Sequence, residues 1–307
     1  MRGFSSIMYL ALLGAGLVLS ALCAGQELVP AGAASMLNST VTGDQHGVRV
    51  HANTSGAQAF AWISEAQDGL NGGVVLKTLG ADGVAGGAAG SGELVLTGGE
   101  AGDQQAVDIF LQDDGALVAV WMSDQNGTWD VFAQGLTASG SAWFGPSCLH
   151  SITTGHQRFP RIGGTPSGEL RVVWESEGEI ASVEISSGSI VAGSELQINS
   201  LTAGAQLYPT VAVNSDGDAI IAWQSDEAGG DFDVMARRLD AETGLGADEF
   251  LVHTPDAGHQ IEPAIVSVSV ETFVLAWSTE DAIKFVTLAS EGTAIGAETS
   301  ATTTGSY

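Results

Sequence analysis

The chain has 307 residues, 44% of them hydrophobic, with 9 basic against 36 acidic residues and a formal net charge of −27. Such a surface repels nucleic acid and anionic membranes, so neither is an expected partner, and it suits divalent cations or a salty medium. Its length is ample for a packed core but strains a single simple one, which a repeat architecture would relieve.

Residues 1–25 read as a secretory signal peptide. Arg2 opens a short basic start, an apolar run follows from Ile7 to Leu22, and small residues close it. A membrane span needs roughly 20 apolar residues, and this run is shorter. Cleavage near Gly25 is the expectation, with acylation of Cys23 as the alternative; a lipobox normally has a small residue where Leu22 stands. After cleavage only Cys148 remains, so no internal disulfide is expected and the fold must hold by packing.

Residues 26–47 form an N-terminal segment in which "MLNSTVTGDQ" reads as a closing strand. Repeat units follow at 48–106, 107–159, 160–208, 209–262 and 263–307. Each centres on one tryptophan: Trp62, Trp121, Trp174, Trp223 and Trp277, spaced by 59, 53, 49 and 54 residues. Periods near 50 point to arrays or propellers. The stretch before each Trp, as in "PTVAVNSDGDAIIAW", aligns without gaps in all five units. A glycine stands six before the Trp in four units (Gly56, Gly115, Gly168, Gly217), and Pro160, Pro209 and Pro263 open first strands. That is strand, tight turn, strand.

A third strand is expected in "GVVLKTL", "DVFAQGL", "EIASVEI", "DVMARRL" and "IKFVTL", and a fourth in "ELVLT", "SCLHS", "ELQIN", "EFLVH" and "AETSAT". Four short antiparallel strands repeated five times predict an all-β β-propeller, either a closed five-bladed ring or a sector of a larger one. The proline-opened hairpin, the Asp-Gly turn and the strand ending in "AW" or "VW" plus Ser resemble bacterial secreted and surface propeller repeats. They are similar in logic to TolB-type periplasmic propellers over residues 36–307, although Pro209 and Asp216–Gly217 lie further apart than in that pattern. The resemblance implies a fold and little about function.

Two residues past each Trp stand Ser64, Ser123, Ser176, Ser225 and Thr279, and three past stand Glu65, Asp124, Glu177, Asp226 and Glu280. Units close on Gly-x-Gln, which supplies Gln104, Gln157, Gln206 and Gln260. Propeller topology places both sets on one face. One reading makes them scaffold, with Ser and Asp fixing turns. The other makes them a ligand-binding ring whose oxygen donors suit Ca²⁺. His150 and His156 recur in register as His253 and His259, a pairing that could hold a metal. On the innermost strands His51, Asp108 and Arg161 are the most reactive residues and make no carboxylate pair.

These features lead to the expectation of an exported, monomeric, non-enzymatic binding module for protein or carbohydrate, secreted, periplasmic or at the cell surface, with no integral membrane domain after cleavage. A glycan hydrolase or lyase with a channel site is the alternative, and a purely structural surface array the third. N-terminal sequencing of protein recovered outside the cytoplasm should find a chain starting near Gln26; one that still begins at Met1, or is lipidated at Cys23, would refute this reading.

Overall fold

The stretch before each repeat tryptophan folds as a β-hairpin because its turn carries a glycine in the left-handed region. Gly115 has φ 86° and Gly217 φ 90°, values that L side chains rarely adopt. The computed structural model describes residues 36–301 apart from 66, 68, 70, 153, 227–229, 247 and 256. The expected signal peptide and Cys23 lie outside the described residues.

Five antiparallel sheets follow one another along the chain. Sheet 1 comprises β1 (Gln45–Ala52), β2 (Gln58–Ser64), β3 (Gly73–Leu79) and β4 (Leu94–Val95). Sheet 2 comprises β5 (Gln104–Leu111), β6 (Leu117–Ser123), β7 (Asp130–Leu136) and β8 (Ala142–Cys148). Sheet 3 has β9 (Gln157–Gly164), β10 (Leu170–Ser176) and β11 (Glu179–Ser186), with the fourth position split into β12 (Ser189–Ile190) and β13 (Leu196–Gln197). Sheet 4 repeats this with β14 (Gln206–Val213), β15 (Ala219–Ser225), β16 (Asp233–Asp240), β17 (Gly244–Leu245) and β18 (Phe250–Leu251). Sheet 5 has β19 (Ile261–Ser269), β20 (Thr272–Ser278), β21 (Ile283–Ala289) and β22 (Thr299–Ala301). The third strands fall where the sequence places them. Residues 36–44 hold no strand, so the expected N-terminal closing strand is not formed there; Lys77 Nζ instead donates to the Leu37 carbonyl and Ser39 Oγ to Glu93.

The core lies between consecutive sheets. Trp121 packs on Ala61, Ile63 and Leu76 of sheet 1, and Trp174 on Val118, Val120 and Val131 of sheet 2. Trp223 packs with Val173 and Ile180 of sheet 3, and Trp277 with Ile220, Ala222 and Val234 of sheet 4. β6 and β15 are therefore buried on both faces along their whole length and are nearly continuous apolar runs.

Each indole is also tied at its polar end. Trp62, Trp174, Trp223 and Trp277 donate from Nε1 to the side-chain oxygens of Gln45, Gln157, Gln206 and Gln260, at 2.9, 3.0, 2.8 and 3.1 Å, always across 17 residues. The bond joins the first strand of a sheet, or in sheet 5 the residue just before it, to the second strand. Sheet 2 omits it: Gln104 Nε2 turns to the carbonyls of Ala101 and Gly102, and Trp121 Nε1 has no partner.

The two ends of the array differ from its middle. Inner strands pack in the order β1, β5, β9, β14, β19. No comparable packing joins β19 to β1 among the described residues, so closure of the ring is not seen. β20 alternates between buried and half-buried residues where β15 is buried throughout. Val48, Val50 and Val268 are 51%, 55% and 46% exposed on the end sheets.

Removing a buried aromatic costs about 3–5 kcal/mol, so Trp174→Ala should show a loss of that size in urea melts. Gln157→Leu leaves the indole N–H buried and unpaired and should cost about 1–3 kcal/mol. Trp129 and Trp143 lie outside the repeat position and are half-buried, so Ala there should cost less. Equal losses at all sites would show that the repeat tryptophan has no special packing role.

Candidate functional site at the inner rim

The innermost strands share a bulge. Two residues after each Gly-x-Gln glutamine the backbone turns left-handed: Gly47 has φ 66°, Ala106 52°, Phe159 51°, Tyr208 49° and Glu262 55°. Strand register shifts beside each of these positions. Only sheet 1 uses glycine; elsewhere a left-handed non-glycine residue costs about 1–2 kcal/mol. A bulge re-aims the side chains around it. Here it exposes Tyr208 and sets its ring against Phe159, with centroids 5.0 Å apart and planes at 40°.

Just past the bulge, thirteen residues before each Trp, the sheets present Arg49, Asp108, Arg161, Thr210 and Ala264 in turn. The first three form a connected cluster. Arg49 Nε lies 3.9 Å from Asp108 Oδ1, and Asp108 Oδ2 accepts the Ile162 N–H at 3.1 Å. Arg161 donates to the Pro160 carbonyl at 2.9 Å. Burial lowers its pKa below the ordinary guanidinium value and the Arg49 cation adds to this, while Asp108 and Glu175 oppose it.

Glu175 completes the cluster. It follows Trp174 on β10, is 6% exposed, and pairs across the strands with Arg158. Its Oε1 accepts the Tyr208 N–H at 2.7 Å. Burial raises its pKa above the usual carboxyl range; the Tyr208 N–H and the charges of Arg158 and Arg161 only partly offset this. The equivalent positions hold Ile63, Met122, Gln224 and Ser278, so the scaffold itself does not require a carboxyl here. Sequence reading missed Glu175, Arg49 and Arg158; the available signal was, for Glu175 and Arg158, a charged residue where the other four units, His46 apart, are neither acidic nor basic, and for Arg49 the charged position it shares with Asp108 and Arg161.

The residues expected to form a face ring are placed as follows. Asp124 accepts the backbone N–H of Asp103 at 2.7 Å, and Glu177 and Asp226 accept those of His156 and Ala205. These are the middle residues of Gly-x-Gln. The glycine gives the carboxylate room: a Cβ on Gly102, at φ 83°, would stand 2.6 Å from Asp124 Oδ1. Gln157, Gln206 and Gln260 are occupied by the indoles and Gln104 by backbone carbonyls. Glu65 and Glu280 are exposed on the end sheets.

The recurring histidines serve as local ties. His156 and His259 accept the N–H of Trp129 and Phe232 at 3.2 and 3.1 Å. His150 and His253 lie 3.5 and 3.4 Å from Asp130 and Asp233. His51 accepts the Leu111 N–H, and burial lowers its pKa below the ordinary imidazole value. Among the described residues no group of three or more His, Cys, Asp or Glu is placed to hold a metal ion. A cleft of about 470 Å³ lined by Gln112, Asp114, Trp143, Ser167 and Gly188 lies apart from the Arg161 cluster.

No protein-family model matches the chain, and comparison with characterised sequences finds no match. Among solved structures, a protein of unknown function from Dyadobacter fermentans superposes with a TM-score of 0.57 at 10% identity, over 85% of this chain and 84% of that one. An ulvan lyase, a polysaccharide lyase bound to -[GlcA(1-4)Rha3S]-, does so with a TM-score of 0.51 at 8% identity, over 80% and 68%. An α-L-arabinanase from Penicillium chrysogenum complexed with arabinobiose has a TM-score of 0.49 at 13% identity, over 80% and 76%. The likeness to the first two is one of fold, and it supports an all-β, propeller-type architecture; it brings no TolB-type match, so that resemblance stops at the repeat pattern.

The expectation of a non-enzymatic recognition module does not stand. It rested on inner strands without a second carboxyl, but the structure brings Glu175 to them from β10, and a carbohydrate-cleaving enzyme shares the fold. No helix among the described residues is long and apolar enough to cross a membrane.

The raised pKa of Glu175 has a consequence for stability. Between its ordinary and its folded pKa the folded protein holds more protons than the unfolded chain, so this group's contribution to stability falls as pH rises through that window. Glu175→Gln keeps an oxygen for the Tyr208 N–H and removes the titration. The variant should melt no lower than the parent at neutral pH and decline less steeply above about pH 4. A constant deficit across that range in thermal melts would contradict the assignment.

Proposed function

We propose that this protein is an exported glycan-acting enzyme, a hydrolase or a lyase, whose site is the inner rim formed by β5, β9, β10 and β14. The observation that carries the reading is Glu175, a buried carboxyl with a raised pKa that faces Arg158 and Arg161 and bonds the Tyr208 N–H, with Asp108 as the other acid acting on Arg161. Burial disfavours the anion of Glu175 and raises its pKa, the direction that suits a carboxyl delivering a proton to a departing glycosidic oxygen. Asp108, tied to Arg49 and to the Ile162 N–H, is the second carboxyl of the site and sits where developing positive charge on a sugar would be stabilised. The fold shared with the ulvan lyase supports this reading, because a protein of that architecture acts on a polysaccharide.

The five sheets are consecutive blades of a propeller, and their uncovered end faces fit a sector whose ring is completed elsewhere. Export follows from the N-terminal segment. The ring of Glu65, Asp124, Glu177, Asp226 and Glu280 serves on this reading to clamp loops.

Turnover of plant and algal polysaccharides is the test. Reducing-end release without ultraviolet absorbance marks a hydrolase; release with the absorbance of an unsaturated uronate marks a lyase. Glu175→Gln should lower turnover by about 10²–10⁴-fold, the usual contribution of a general acid, while leaving the melting temperature intact. Full activity in that folded variant would remove Glu175 from the chemistry.

A further inference from the structure

We infer that the rim reads an anionic sugar, a carboxylate- or sulfate-bearing ring, held by Arg158 and Arg161 and seated on the Phe159–Tyr208 surface. The inference rests on the proposed function for the location of the site, and goes beyond it in naming the substrate class.

The argument begins with charge. The chain has only 9 basic residues against 36 acidic ones, yet Arg49, Arg158 and Arg161 converge on one stretch of rim. Arg49 has an acidic partner in Asp108. Arg161 and Arg158 have no carboxylate within ion-pair distance among the described residues, and the side-chain hydrogen bond of Arg161 goes to the carbonyl of its own neighbour, Pro160. Asp108 and Glu175 act on Arg161, and Arg158 on Glu175, only from beyond ion-pair distance, and a half-buried guanidinium without a close ion pair is costly to keep. The scaffold has no need of one, because the same repeat position is filled by Thr210 and Ala264 in sheets 4 and 5. Glu175 faces both arginines, and its burial raises its pKa, which works against the anion that would neutralise them.

The guanidinium fork matches the oxygens of a carboxylate or a sulfate in paired hydrogen bonds. A second feature points to the same ligand. Phe159 and Tyr208 are held in the left-handed region by the bulge and their rings meet; Phe159 follows Arg158 in the chain, the Tyr208 N–H bonds Glu175, and Tyr208 is 44% exposed. Rigid aromatic surface next to a few fixed polar groups is the composition of a site for a ring-shaped, hydroxylated ligand. Strain gathered at one repeat position fits a site whose geometry is kept at a cost in stability.

The experiment uses the full mature protein carrying Glu175→Gln, so that binding is measured without turnover, and three tetrasaccharide probes on one sugar: galacturonan, sulfated galactan and neutral galactan. Titration calorimetry should show at least one anionic probe binding about tenfold or more tighter than the neutral one, and weakening with added salt. Adding Arg161→Gln or Arg158→Gln should reduce that preference roughly 10–100-fold, as expected for loss of a charged hydrogen bond, and leave neutral galactan unchanged. Arg161→Lys keeps the charge without the fork and should fall in between. The carboxylate and sulfate arms identify which oxyanion is read. Neutral galactan bound as tightly as both anionic probes, no binding of any probe, or preference unchanged in folded arginine variants would each overturn the inference. If the parent cleaves neutral glycans and ignores anionic ones, this inference fails and the proposed function stands; if it binds an anionic probe through Arg161 but cleaves nothing, the reverse holds.

Discussion

The hydrogen bond from a buried indole N–H to a glutamine 17 residues earlier is the constraint on which the rest depends. A tryptophan is large enough to fill the gap between adjacent sheets, but it brings a polar N–H into an interior where an unpaired donor costs free energy. The glutamine meets that need and pins the first strand of a sheet to the second at one register. The bulge two residues later then falls at the same place in every sheet, and so does the left-handed residue at the rim. In four sheets one pair of side chains links packing to register; sheet 2 keeps the register and the bulge at Ala106 without the bond, by tryptophan packing and strand pairing.

Symmetry and chemistry are divided between different positions. The tryptophan, the glutamine and the loop carboxylates repeat because each unit needs the same clamp; Asp124, Glu177 and Asp226 bind the backbone N–H groups next to the glutamines. Positions just past the bulge and just past the tryptophan are free of that duty. They hold Arg49, Asp108 and Arg161 in one set and Glu175 in the other, with neutral residues in the remaining sheets. The reactive groups gather at the rim of three consecutive sheets, where Arg49, Arg158 and Arg161 lie with Asp108 and Glu175.

Side chains of one sheet bond the backbone of the next at two repeat positions, and the last sheet lacks them. Asn53 and Asn214 donate to the carbonyls of Gln112 and Val270 in the following sheet, and Glu175 and Gln224 accept from Tyr208 and Glu262. In sheet 5 the corresponding residues are Val268 and Ser278. One face of β20, Thr272, Val274, Ala276 and Ser278, is half-buried, and the inner strand of sheet 1 is largely exposed in turn. The end sheets are thus not built to continue the series by the same polar ties.

By itself the sequence determined the sheets: tryptophan spacing, turn glycines and period-two apolar runs are local signals, and each third strand lies where those signals put it. It also contained the repeat alignment in which Asp108 and Arg161 stand out. The pairing of Gln with Trp was present as a constant spacing, yet its meaning as a buried bond needed the two strands side by side. The site was not legible, because Glu175 and Arg158 belong to different strands and Tyr208 to the next sheet; their proximity arises only when hairpin register and sheet-on-sheet packing are set. Nor could the sequence show that the N-terminal stretch before Gln45 forms no closing strand, since strand pairing depends on which edge is within reach. The charged groups of the rim acquire their character only in the tertiary structure, because desolvation, which raises the pKa of Glu175 and lowers that of Arg161, is a property of surroundings assembled from distant parts of the chain.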